Sequence, residues 1–218
     1  MMRMKLFLFD VDATLVLTGG AGLRALDRAF LKRYNLDGAM SGIKPHGKTD
    51  PAIVREIFRT RFNAEPDNEA LIASILEDYV AFLRDEVENS SYRVLPGIPE
   101  ILRLLSARSD ALLGLATGNV ETGARIKLGP GDLNQYFSFG GFGSDSELRA
   151  ELVGRAIERA GERSGGTIAP SDVWVIGDTP LDIEAGKKAG CHTIGVATGQ
   201  YPVDQLRDSG AEIGRAHV

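Results

Sequence analysis

Two aspartates placed two residues apart, Asp10 and Asp12 in the stretch LFLFDVDATL, are the groups in this sequence best suited to covalent chemistry. A carboxylate can attack phosphorus and form an aspartyl-phosphate, which divides one hard step into two easier ones. A second carboxylate beside it can protonate the leaving oxygen and then deprotonate water. Farther along come Thr117–Gly118–Asn119 and the run Gly177–Asp178–Thr179–Pro180–Leu181–Asp182. Carboxylates crowded at one place repel one another and raise at least one pKa unless a cation joins them. Oxygen-only donors suit a hard ion, and magnesium typically takes one or two carboxylates, waters and a substrate oxygen. Each group alone has an ordinary reading. Asp and Gly are common turn residues, and Asp followed by Pro is a good helix start. Their meaning depends on whether the fold brings them together.

The elements that would do so are visible as patterns. Lys5–Phe9, Ala111–Ala116, Val173–Ile176 and Thr193–Val196 are short apolar runs that read as buried parallel strands, with Tyr136–Phe139 as a fifth candidate. Helical spacing covers Pro99–Arg108, Leu148–Ala160 and Leu181–Ala189 between them. Such alternation predicts an α/β fold with a doubly wound parallel sheet. Ligands of such sheets bind at the carboxyl ends of the strands. Asp10, Asp12, Thr117, Asp178 and Asp182 all fall there. One interval breaks the alternation: from about Ala21 to Ser90 the pattern is helical throughout, over Leu23–Tyr34, Ala52–Phe62 and Glu69–Val87. The expected organisation is an α/β core of residues 1–17 and 93–218, with a helical domain of residues 18–92 inserted after the first strand. Val94–Leu95–Pro96–Gly97 punctuates the re-entry, and Thr18–Gly19–Gly20–Ala21–Gly22 could act as a hinge.

Composition sets the outer bounds. The chain of 218 residues is 43% apolar and 25% charged, with a net charge of -5, which argues against a nucleic-acid partner. The single Cys191 cannot pair within the chain, fits a reducing cytoplasm and is expected to be a buried small hydrophobe. The apolar run in MMRMKLFLFD is too short for a signal peptide, and no stretch approaches the roughly 20 residues a membrane span needs. A cytoplasmic protein with no membrane association is expected. The last seven residues, Glu212 to Val218, continue neither a helical nor a strand pattern and read as non-native, so His217 carries no functional weight.

Across Leu6 to about Gly199 the sequence resembles the haloacid dehalogenase superfamily of phosphohydrolases. Asp10–Val11–Asp12–Ala13–Thr14–Leu15 is similar to its Asp-x-Asp-Gly-Thr motif, and Thr117, Asp178 and Asp182 match the second and fourth motifs in order. The resemblance implies that Asp10 is the nucleophile and a metal ligand. It implies that Asp12 is the general acid/base and lends its backbone carbonyl to magnesium. Thr117, with Gly118 and Asn119, would bind the phosphoryl group, and Asp178, supported by Asp182, would complete the metal site. The helical insert is similar to the family's cap, where Lys48 and His46 become candidate substrate contacts. Thr49 or Asp50 reads as the N-cap of a helix at Pro51. Two departures stand out. Ala13 occupies a position usually held by Gly, and the third-motif Lys is missing. Arg149 is the best cationic replacement, with Lys127 behind it and Arg155 less favoured.

The likeness is greatest to the phosphoglycolate phosphatase-like branch. It implies a magnesium-dependent phosphatase acting on a small phosphorylated metabolite, as a monomer or homodimer. A 2-haloacid dehalogenase would lack Asp12. A phosphomutase should carry a His between Thr18 and Phe30, where there is none. A phosphate-binding or regulatory relative without turnover is the alternative that Ala13 and the missing Lys favour.

Overall fold

In the computed structural model, which describes residues 3–214, the apolar runs form a parallel sheet built outward from the first strand. The strands are β1 (Lys5–Phe9), β2 (Val16–Leu17), β3 (Arg93–Val94), β4 (Ala111–Thr117), β5 (Gly140–Phe142), β6 (Val173–Gly177), β7 (His192–Val196) and β8 (Glu212–Gly214). The helices are α1 (Ala21–Tyr34), α2 (Asp50–Ile57), α3 (Glu69–Glu88), α4 (Ile98–Ser106), α5 (Glu121–Leu128), α6 (Arg149–Ser164), α7 (Pro180–Lys188) and α8 (Val203–Asp208). Six strands lie in the order β5-β4-β1-β6-β7-β8, every pair parallel. β1 is central because both its faces are apolar: Leu6 and Leu8 are fully buried towards one layer and Phe9 packs into the other. Strand order reverses beside β1, and a parallel sheet opens a crevice at its carboxyl edge at such a point.

Two apolar layers cover the sheet. Leu102, Leu115, Leu128 and Phe137 pack with Phe9 on one face, and Val153, Ala156 and Ala160 of α6 pack with Leu6 and Leu8 on the other. The helices α1, α2 and α3 bury a third cluster of their own around Phe30, Ile57, Ile75 and Tyr79. β2 and β3 pair antiparallel where the chain leaves and re-enters the sheet layer, Val16 opposite Val94. Among the described residues, no helix is long and apolar enough to cross a membrane.

The α/β class and the parallel sheet are as expected, and four local expectations need correction. The fifth strand is Gly140–Phe142, while Asn134–Tyr136 is a 3-10 turn. Gly-Gly lacks the branched side chains that mark a strand, yet a side chain there would overlap Leu115 and the Leu152 backbone, so only Gly fits. The expected Ala52–Phe62 helix is α2 followed by a single π-helical turn, Phe58–Phe62. Glu212–Gly214 does form a strand, on the free edge of β7, and His217 lies outside the described residues. Cys191 is half-buried against the α6 layer rather than enclosed.

Candidate active site

Backbone hydrogen bonding at the end of β1 places the two aspartates. The Asp10 N–H donates to the Ile176 carbonyl at 2.9 Å, which fixes it to β6. The Val11 carbonyl then accepts from Leu15 (2.9 Å) and Val16 (3.1 Å), folding the chain back sharply. That turn puts Ala13 at φ 56°, in the left-handed region where a side chain is disfavoured and Gly is free. β4 delivers Thr117 and β6 delivers Asp178 to the same edge. At the start of α7, Thr179 and Asp182 form a reciprocal capping box, in which the Thr179 N–H (3.1 Å) and hydroxyl (2.6 Å) both donate to Asp182 Oδ2. These ends open into a cavity of about 760 Å3 whose far wall is made by α1, α3 and the loop Pro45–Lys48.

The acids are crowded and dry. Asp10, Asp178 and Asp182 are all buried and each offers an oxygen within 4.8 Å of the others. Burial pushes Asp10 up to about 7, with Asp182 and Asp12 adding repulsion against the relief given by Arg149 and the Thr117 hydrogen bond. Burial likewise lifts Asp178 to about 8, helped by Asp10, Asp182 and Asp12. The guanidinium of Arg149, the first residue of α6, hydrogen-bonds Asp182 Oδ1 and reaches Asp10 Oδ1 at 3.5 Å. Arg149 therefore stands where the sequence suggested a cation. Both oxygens of Asp182 are taken, one by Arg149 and one by Thr179.

Asp12 faces a different set. Its Oδ2 accepts from the Asn119 amide at 2.8 Å and from the Lys127 ammonium at 2.7 Å. Lys127 is buried and does not touch Asp10, so it contacts the acid/base candidate instead of the nucleophile candidate. Arg155 pairs with Glu158 on the surface (2.8 Å) and takes no part. Lys48 and His46 line the cavity, but the Lys48 ammonium is paired with Glu56. The loop carrying Lys48 rests on Gly118, where any Cβ would overlap the Lys48 carbonyl.

Some participants were not anticipated. Thr49 does cap α2, accepting from Ala52 N–H at 3.4 Å, with Asp50 as its first residue. Asp50 also stitches the helical layer to the Thr117–Asn119 turn: its N–H donates to the Gly118 carbonyl and its carboxylate accepts from Val120 N–H, both at 2.8 Å. Burial lifts this carboxyl to about 6 against the pull of Lys127 and the Val120 hydrogen bond. The loop after β7 closes another side, with the Thr198 hydroxyl donating to the Ala13 carbonyl and Gly199 lying against Asp178. The Thr-x-x-Asp spacing of residues 179–182 was the available signal for the capping box; nothing in the sequence pointed to Thr198 or Gly199.

Comparison with known proteins agrees with the fold. The chain is 27% identical over 220 residues to the probable phosphatase IndB of Dickeya dadantii, covering 93% of this chain and 85% of that protein. Among solved structures, a hydrolase from Pseudomonas syringae matches with a TM-score of 0.70 at 21% identity, over 96% of this chain and 92% of that one. CbbY from Rhodobacter sphaeroides, solved in complex with phosphate, matches with a TM-score of 0.72 at 17% identity, over 97% and 93%. The sequence profile described as haloacid dehalogenase-like hydrolase matches residues 7–196, and with the motif residues gathered at one sheet edge the chain belongs to that family.

Proposed function

We propose that this chain is a magnesium-dependent phosphatase that hydrolyses small phosphate monoesters through an aspartyl-phosphate on Asp10. The observation that carries the reading is the convergence of Asp10, Asp12, Thr117, Arg149 and Asp178 on one cavity, from the ends of β1, β4 and β6 and the start of α6. The donor set fits a hard divalent ion. Asp10 and Asp178 are crowded carboxylates whose pKa values stand far above the ordinary range, and the Asp12 carbonyl takes part in none of the turn's backbone hydrogen bonds. These three groups would hold the ion, with Asp182 behind them fixing Arg149 and the Thr179 turn. When bound, magnesium would screen the phosphate dianion from the carboxylates and polarise the phosphoryl group.

This chain's own residues account for the rest. Asp10 attacks phosphorus, and the bond to the leaving oxygen breaks as Asp12 supplies its proton. Asp12 then takes a proton from water, which attacks the phosphorus and frees Asp10 and inorganic phosphate. Thr117 and Arg149 offer hydrogen bonds and charge to the transferring group. Residues 18–92 act as a cap over a core of residues 1–17 and 93–218, with Lys48 near the ester's leaving group. The cavity has room for a small phosphorylated metabolite, for which we favour the phosphoglycolate kind, and the name of IndB, a probable phosphatase, supports phosphatase activity. Turnover of p-nitrophenyl phosphate tests the proposal. Release should require magnesium, stop with EDTA and fall to background in Asp10→Asn. Phosphate binding without turnover would instead favour a regulatory relative.

A further inference from the structure

Lys127 is out of place by ordinary rules. It sits in the last turn of α5, where a lysine usually reaches into solvent near the carbonyl end of the helix. Here it belongs to the helix's buried face, together with Gly123, Ala124 and Leu128. A buried ammonium must find acceptors or it costs several kcal/mol, and this one has them. Its Nζ donates to Asp12 Oδ2 at 2.7 Å and to Asn119 Oδ1 at 2.6 Å. Desolvation opposes its charge, but Asp12, Tyr79 and Asp50 outweigh that, so its pKa is raised and it stays an ammonium.

An ammonium can only donate. Asn119 must therefore turn its carbonyl oxygen to Lys127 and its NH2 group the other way. That NH2 donates at 2.8 Å to Asp12 Oδ2 and at 2.8 Å to Thr117 Oγ1. With its oxygen accepting from Asn119, the Thr117 hydroxyl is left to donate, and Asp10 is the carboxyl it favours in the ionised form. One cation thus sets the direction of a chain that runs from Lys127 through Asn119 to the Thr117 hydroxyl. It also holds Asp12 by one oxygen only. Oδ2 takes both donors, while Oδ1 has no hydrogen-bond partner among the described residues.

Resting on the phosphatase reading above, we infer that Lys127 is a positioning residue, which through Asn119 fixes Asp12 so that Oδ1 alone exchanges the proton and orients the Thr117 hydroxyl towards Asp10. In the first step the proton on Asp12 Oδ1 passes to the leaving oxygen as its bond to phosphorus breaks and the Asp10–phosphorus bond forms. In the second, Oδ1 takes a proton from the attacking water as the Asp10–phosphorus bond breaks. Neither step moves a proton from Lys127.

The test compares two esters. p-Nitrophenolate leaves without help from an acid, whereas the alkoxide from glycerol 2-phosphate needs the proton. Lys127→Met keeps an unbranched apolar side chain and removes the donor. The ratio of kcat/KM for p-nitrophenyl phosphate to that for glycerol 2-phosphate should rise about tenfold or more, a fraction of the roughly 100-fold or greater contribution of general acid–base catalysis. A pre-steady-state burst of p-nitrophenolate should appear too, because hydrolysis of the aspartyl-phosphate needs Asp12 although its formation from this ester does not. A role limited to packing would reduce both esters equally and give no burst, and that result overturns the inference. Should Lys127→Met fail to fold by circular dichroism, Asn119→Ala carries the same comparison with the Lys127–Asp12 pair left in place. An unchanged ratio in that variant is equally fatal. No turnover of either ester by the wild type would overturn the phosphatase reading and the role of Lys127 with it; turnover with an unchanged ratio overturns the role alone.

Discussion

Without magnesium, this protein should lose stability as pH rises, the reverse of ordinary acid denaturation. The cause is the buried acid cluster. Asp10 is pushed up to about 7 and Asp178 to about 8, against 3.8 for the solvated side chain. A folded pKa above the unfolded one means that the folded chain keeps a proton the unfolded chain has already released. The stabilisation this gives is complete below about pH 4 and disappears as pH climbs through 7 to 8. For Asp10, roughly three units at about 1.4 kcal/mol each give on the order of 4 kcal/mol. Asp178 shares the same repulsion, so its contribution overlaps with that of Asp10 and does not simply add. At about 2–4 °C per kcal/mol for a chain of this size, the metal-free midpoint should fall by on the order of 10 °C between about pH 5 and pH 8. Magnesium needs the ionised carboxylates, so its stabilising effect should be small at pH 5 and large at pH 8. Thermal melts followed by circular dichroism, with EDTA or with saturating magnesium, measure both slopes. A magnesium shift that is the same at every pH, or greatest at pH 5, would refute the assignment of Asp10 and Asp178 to the metal.

Substitutions at two positions test the departures from the usual motifs. Ala13→Gly should raise stability by about 0.5–1 kcal/mol, because relief of a non-glycine residue at φ 56° outweighs the greater freedom of Gly in the unfolded chain; chemical denaturation measures it, and a loss of stability would show that the Ala13 methyl packs usefully against the Gly199 loop. Arg149→Met should abolish turnover and destabilise the fold by about 3–5 kcal/mol, since it leaves Asp182 and Asp10 buried without their counter-charge; Arg149→Lys should recover stability but only part of the rate, as a point charge cannot serve both carboxylates as the guanidinium does, and kinetics with thermal melts distinguish the two.

The sheet was legible because its strands are buried on both faces and therefore written as continuous apolar runs. β1 and β6 stand out for that reason, and their last residues locate Asp10 and Asp178. β5 was misplaced by a few residues for the opposite reason. Its Gly140 and Gly141 are selected by the closeness of Leu115 and the Leu152 backbone, a constraint that exists only once the chain has folded. β2 and β3 are too short, at two residues each, to show a period. The strand-end reasoning located carboxylates and held Lys127 only as a substitute for Arg149; its pairing with Asp12 was not anticipated, because a helix interior is not where a parallel sheet usually presents its ligands.

Ala13 and Arg149 were the strongest reasons to doubt turnover, and the structure gives each a physical accommodation. The strain at Ala13 is tolerated because its loop is held from outside: Ala13 N–H donates to Val16 carbonyl at 2.8 Å and its own carbonyl accepts from Thr198. A single methyl costing about 1 kcal/mol is small against such bracing. Arg149 brings a wider head than lysine on a shorter aliphatic stem, and it starts α6 at the point where the guanidinium can reach Asp182 and Asp10 together. Each Asp182 oxygen already accepts a hydrogen bond, one orienting the guanidinium and the other closing the cap of α7, while Asp182 keeps an oxygen within 4.8 Å of those of Asp10 and Asp178. On the phosphatase proposal, Asp10, Asp178 and the Asp12 carbonyl would then do most of the holding of an ion. On that proposal the arginine at position 149 and the roles of the acids are linked: a guanidinium aimed by Asp182 would leave that acid less free for the metal.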